Sequence, residues 1–150
     1  MRNRWHAILT DRNVPIKMRL KAFYAHYLGA TDNSNRIRII MFAGLDGSLF
    51  ARRHLETQVH GLLRQIAIEI AVEYAAAPDN HEPSAADVEL VWHLHSTYVY
   101  FLVRKSIFRL QVITDTDQLI DMTVDNFIAG IASRYSPAPE IVPHENSRTG

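Results

Sequence analysis

An all-helical domain is the fold class that this 150-residue sequence predicts, and three observations carry the prediction. Apolar residues recur at three- and four-residue spacing through most of the chain. Turn and capping residues cut it into pieces of helical length. Strand-like character is confined to two short stretches, each inside a longer helical pattern.

About six helices follow, taken in order. Residues 2–10 hold Trp5, Ile8 and Leu9 and make a short first helix. Asn13 is placed to cap a second, with Pro15 harmless in its first turn; Ile16, Leu20, Phe23, Tyr24 and Tyr27 keep helical spacing up to Gly29. The third, Asn35 to Leu45, is apolar around its circumference, which predicts a helix sandwiched in the core. Gly47 stops it and Ser48 caps the next, which runs from Leu49 to about Ala77 on a stripe of Leu55, Val59, Leu62, Leu63, Ile66, Ile70 and Tyr74.

Residues 66–74 also alternate as a strand would, but the many alanines and the helical flanks decide for helix. After the hydrophilic loop 78–83, Ser84 and Asp87 resemble a capping box that opens a fifth helix reaching about Arg109. Its segment 98–103 has strand propensity, so an α+β fold is the alternative there. Asp115 and Gln118 start a sixth, with Leu119, Ile120, Val124, Phe127, Ile128 and Ile131 apolar, and with Ala129, Gly130, Ala132 and Ser133 small enough for another helix to approach. Residues 1–135 form the domain. Residues 136–150 have almost nothing to bury and read as a flexible tail.

Composition narrows the function classes. With 47% hydrophobic residues the chain can bury a real core. It has no cysteine, which excludes thiol catalysis, disulfides and thiolate zinc sites. Its longest unbroken apolar run, 98–103, is far short of the roughly 20 residues a membrane helix needs, so no membrane partner is expected and a cytoplasmic home fits. Sixteen basic and sixteen acidic side chains cancel, leaving no global field for nucleic acid. The distribution is uneven, however: residues 1–75 carry eleven basic against six acidic side chains and the remainder mirrors that excess.

Eight histidines invite a metal or acid–base reading. His93 and His95 lie about 200° apart on a helix and cannot share an ion; His54 and His60 also diverge, and no His pair at i, i+4 encloses a Glu. No metal site and no cofactor is expected. There is no nucleophile elbow, phosphate loop or dinucleotide fingerprint, and the carboxylate pairs Glu69/Glu73 and Asp121/Asp125 read as solvated helix faces. No enzyme is expected. What stands out is a set of apolar helices with interspersed polar groups, among them Tyr24, His60, Trp92, His93 and Tyr98, the make-up of a mostly apolar pocket with a few hydrogen-bonding tips. The last two helices present more apolar residues than one intrachain contact needs, which predicts a homodimer.

Four segments in order carry a family resemblance. They are Arg36-Ile-Arg-Ile-Ile-Met-Phe-Ala-Gly-Leu-Asp-Gly-Ser48; Phe50-Ala-Arg-Arg-His-Leu55; Val91-Trp-His-Leu-His-Ser-Thr-Tyr-Val-Tyr-Phe-Leu-Val-Arg104; and Thr123-Val-Asp-Asn-Phe-Ile-Ala-Gly130. Over residues 1–135 the chain resembles the C-terminal ligand-binding and dimerisation domain of the tetracycline-repressor (TetR) family of bacterial transcriptional regulators. The resemblance implies that helices 84–109 and 116–134 pair with those of a second copy in a four-helix bundle, through Tyr98, Leu102, Val124, Phe127, Ile128 and Ile131. It further implies that the earlier helices surround a small, largely apolar effector, for which Phe23, Tyr27, Met41, Leu45, Val59, Leu63, Trp92, His93 and Ser96 are the positions expected to line the site. Residues 2–10 would be the end of the helix leading to a DNA-binding head. In that family effector binding shifts this helix and the spacing of two recognition helices, which must fit major grooves ~34 Å apart.

The family's N-terminal helix-turn-helix is missing from this sequence, so operator DNA is a partner only if such a head precedes Met1. The expected function is therefore effector sensing and dimerisation in a transcriptional regulator. The alternative is a stand-alone helical interaction or heterodimerising module without DNA binding.

Overall fold

The computed structural model describes residues 2–31, 34–112 and 115–135, and among these it is helical with no strand. The expected tail, 136–150, lies outside the described residues. The helices are α1 (Arg2–Thr10), α2 (Ile16–Thr31), α3 (Ser34–Leu45), α4 (Leu49–His54), α5 (His60–Ala75), α6 (Ala85–Leu102) and α7 (Thr116–Tyr135). A π-helical turn, Leu55–Val59, joins α4 to α5 without a break, so 49–75 is one rod; a second, Val103–Ile107, extends α6. The sequence expectation of six rods and an all-α fold is met, and both stretches with strand character are helix.

Local signals explain most boundaries. The Ser84 hydroxyl accepts from the Asp87 amide while the Asp87 carboxylate accepts from the Ser84 amide, closing the expected capping box. The Ser48 hydroxyl accepts from the Phe50 amide after Gly47 turns the chain at φ 68°. Ala76 ends α5 in the left-handed conformation, φ 50°. The start of α2 departs from expectation. Asn13 bonds Asp11 instead of capping the helix, and the Ile16 amide is taken by Glu73 Oε2 at 2.7 Å, 57 residues away. A carboxylate from another helix thus does the work assigned to a local side chain.

α2 is the central element, packing against α1, α3, α5 and most extensively α7. The core gathers Leu20, Phe23 and Tyr24 of α2, Leu63 and Ile66 of α5, Val91 and Tyr98 of α6, and Val124 of α7. Five side chains expected to face a second copy, Tyr98, Leu102, Val124, Ile128 and Ile131, are enclosed in this core, and Phe127 is half-buried against it. The apolar stripe of α7 is covered by α2, α5 and α6 of the same chain.

The helix expected to lie sandwiched in the core does not. In α3 Ile37 is buried and Met41 half-buried, but Ile39, Phe42 and Leu45 are open to water. Its circumference is apolar, yet the described neighbours, α2, α4 and the second π turn, leave Ile39, Phe42 and Leu45 uncovered.

Candidate functional site

The 3–4 spacing of α2 puts Phe23, Tyr24 and Tyr27 on adjoining positions of one face, and the same spacing in α6 aligns Val91, His95 and Tyr98. The two rows meet as a continuous aromatic cluster. Tyr24 stacks on Tyr98 with ring centres 4.0 Å apart and planes at 21°. His95 lies 4.9 Å from Tyr27, 6.1 Å from Tyr24 and 6.1 Å from Trp92. Trp5 of α1 closes the side, 5.7 Å from Phe23 and 5.8 Å from Tyr27. Phe23, Tyr24, His95 and Tyr98 are buried, whereas Trp5, Tyr27 and Trp92 are half-buried and form the outer rim.

Two polar tips in this cluster, Tyr24 Oη and His95 Nδ1, are enclosed with no hydrogen-bond partner among the described residues, while the enclosed Tyr98 Oη has Thr123 as its neighbouring polar group. Burial pushes the His95 imidazolium down to about 4, so the ring is neutral at ordinary pH. Burial pushes the Tyr24 and Tyr98 hydroxyls upward, so they too stay neutral. The cluster is packed, aromatic and uncharged, with an unspent donor or acceptor at Tyr24 and His95. A buried polar atom without a partner costs about 1–3 kcal/mol, and a guest with a matching polar edge would recover part of that.

Beneath α1 lies a charged counterpart. Arg19 is buried, donating from Nη1 to Glu69 Oε2 at 2.9 Å and to the Leu9 carbonyl at 2.5 Å, and from Nη2 to Glu73 Oε2 at 2.9 Å. Arg12 donates from Nε and Nη2 to the two Glu69 oxygens at 3.0 and 3.2 Å, and from Nη1 to Asp79 at 2.5 Å. Burial alone would raise the Glu69 carboxyl, but hydrogen bonds from Arg12 and Arg19 and their charges outweigh it and hold it below the ordinary value. Glu69 is therefore not on a solvated face, whereas Glu73, though paired with Arg19, stays exposed. The network pins the end of α1 and the start of α2 onto α5.

Of the positions expected to line an effector site, Phe23, Tyr27 and Trp92 are brought together in the aromatic cluster. Leu63 is core, and Met41 and Val59 pack on its edge. Leu45, His93 and Ser96 are exposed and lie outside it; His93 sits 3.6 Å from Glu89 across one helical turn. His95, absent from the expected positions, is central. Its signal was available, since it continues the buried row Val91, Leu94, Tyr98 while His93 points away. A separate small cleft of about 160 Å3 lies between α2, α6 and the start of α7, lined by Leu28, Gly29, Phe101 and Thr116 among others. Among the described residues no group of three or more potential metal ligands assembles, and no helix is long and apolar enough to cross a membrane. Compared with protein-family models, curated proteins and solved structures, the chain has no significant match.

Proposed function

We propose that this chain is the effector-sensing and dimerising domain of a bacterial transcriptional regulator, one that binds a small, largely apolar ligand and, in a full-length protein, couples it to DNA release. The observation that carries the sensing role is the cluster of Tyr24, His95 and Tyr98, in which the buried Tyr24 Oη and His95 Nδ1 have no partner among the described residues. Plain core packing favours phenylalanine and leucine at such positions, because an orphan hydroxyl is a cost without a return. The fitting ligand is neutral and flat, with one hydrogen-bonding edge, since the rings around it are uncharged and aromatic. Entry lies at the half-buried rim of Tyr27 and Trp92. The coupling route is short: Trp5 of α1 touches both Phe23 and Tyr27, so a guest that moves Tyr27 also moves the first helix.

Thermal unfolding with matched probes tests this reading. Naphthalene, 1-naphthol and 1-naphthoate share a ring system and differ in polar edge. 1-Naphthol is expected to raise the melting temperature most, because a guest bound only by the folded state stabilises it by about 2.7 kcal/mol at a hundred times its Kd. Tyr24→Phe should abolish the advantage of naphthol over naphthalene while leaving the ligand-free protein as stable or up to about 1 kcal/mol more so. Loss of stability in ligand-free Tyr24→Phe, or equal shifts with all three probes, would sink the proposal.

A further inference from the structure

Five large apolar side chains stand open on one corner of the molecule: Ile39, Phe42 and Leu45 on α3, and Leu49 and Phe50 at the start of α4. Each is between 62% and 88% exposed, and only the turn 46–48 separates the two runs. At about 150–250 Å2 for a large side chain, the exposed part amounts to roughly 500–900 Å2. The largest apolar patch on an ordinary monomer is about 300–600 Å2, while a standard dimer interface takes about 800 Å2 from each partner. The corner has the area of half an interface.

We propose that a second copy of this chain docks here, about a two-fold axis. Shape and charge both favour that occupant. The outer side of α3 carries an open cleft of about 480 Å3 lined by Asn35, Arg38, Ile39 and Phe42, wide enough to admit an exposed side chain such as Phe50 on the adjoining helix. In a two-fold pair each copy offers the other one cleft and one knob. The corner also bears both signs of charge. Asp46 lies in the turn and Arg53 on α4, and among the described residues neither is in an ion pair, whereas Arg52 is held by Glu56 at 2.7 Å. A patch of one sign would repel its own copy, but Asp46 and Arg53 can meet their opposites across the axis.

The arrangement differs from pairing through the last two helices, where the large apolar side chains open on the described surface of 84–109 and α7 are Tyr100, Phe108 and Met122. It rests on the dimerising part of the proposed function, which a monomeric wild type would overturn with it, and is independent of the effector reading.

Light scattering of the full chain at micromolar concentration decides it. The expected result is a dimer that Phe42→Asp with Leu45→Asp converts to monomer, raising the dissociation constant at least about tenfold, with the helical circular dichroism unchanged. Met122→Asp on α7 should leave the dimer intact. If the double variant loses its helical signal, Leu45→Asn alone, at the most exposed of the five sites, gives the same readout. A monomeric wild type overturns the proposal, as does a dimer that survives the α3 changes or that Met122→Asp dissolves. A wild-type monomer that sediments with phosphatidylserine vesicles would assign the corner to a lipid surface and equally overturn it.

Discussion

His95 loses its water on folding and receives no partner at Nδ1 in exchange, so its proton affinity falls while that of the unfolded chain stays at the ordinary 6.5. Between pH 6.5 and about 4 the unfolded state therefore binds a proton that the folded state refuses. The neutral ring contributes its full share above that window and loses it as pH falls, at about 1.4 kcal/mol per pH unit and about 3 kcal/mol in all. Denaturant unfolding at pH 7 and pH 5 should show the loss, and His95→Phe should flatten it. A contrasting case is Glu69, whose lowered carboxyl contributes stability above its ordinary value of 4.5 and loses it below, so the two effects separate by pH. Glu69→Ala leaves Arg19 buried with one fewer counter-charge and should cost about 3–5 kcal/mol. A loss under 1 kcal/mol, about the value of an exposed pair, would show that water reaches the guanidinium.

At the scale of elements, helix existence and most ends were legible because their causes are local. The Ser84 and Asp87 spacing specifies a capping box that needs nothing from the rest of the chain, and Ser84→Ala should cost about 1 kcal/mol in thermal unfolding. Ala76 holds a left-handed backbone, so Ala76→Gly should gain up to about 1 kcal/mol. What was not legible depends on partners distant in sequence. Asn13 satisfies the composition of a cap, yet Glu73 arrives from α5 and takes the amide. Residues 39, 42 and 45 are as apolar as core residues, and no pattern within α3 says which side a neighbour will cover. The aromatic face of α2 was visible in its periodicity, whereas its pairing with His95 required the register of α6. The π turns left no mark, since no residue type in 55–59 or 103–107 enforces them.

For the molecule as a whole, the uneven charge distribution resolves into internal attachment. Arg12 and Arg19 hold Glu69, Glu73 and Asp79, while Lys17 and Lys21 reach Asp121 and Asp125 at 2.8–2.9 Å. Of these acids Glu69 and Glu73 lie in the basic first half and Asp79, Asp121 and Asp125 in the acidic second, so part of the opposite excesses is paired through α2 and the turn before it. The carboxylates of the lysine pairs are exposed, so Lys17→Ala with Lys21→Ala should give a small loss of stability that high salt reduces. The buried arginine pairs should persist in the same salt, which unfolding at two ionic strengths would reveal.

The π turn at 55–59 has a consequence for how this chain tolerates changes of length. A π turn holds one residue more than the α-helix it interrupts, and each residue advances a helix by about 100°. Removing one residue from 55–59 would let the rod 49–75 close into uninterrupted α-helix with little net rotation, because the π turn takes up its extra residue at a smaller angle per residue, so α5 stays seated and Leu49 and Phe50 keep their facing. The same deletion in the middle of α5 would instead carry Leu63 or Ile66 out of the core. The extra residue is thus a slack link where the chain can shorten without unfolding and without re-aiming the outward corner.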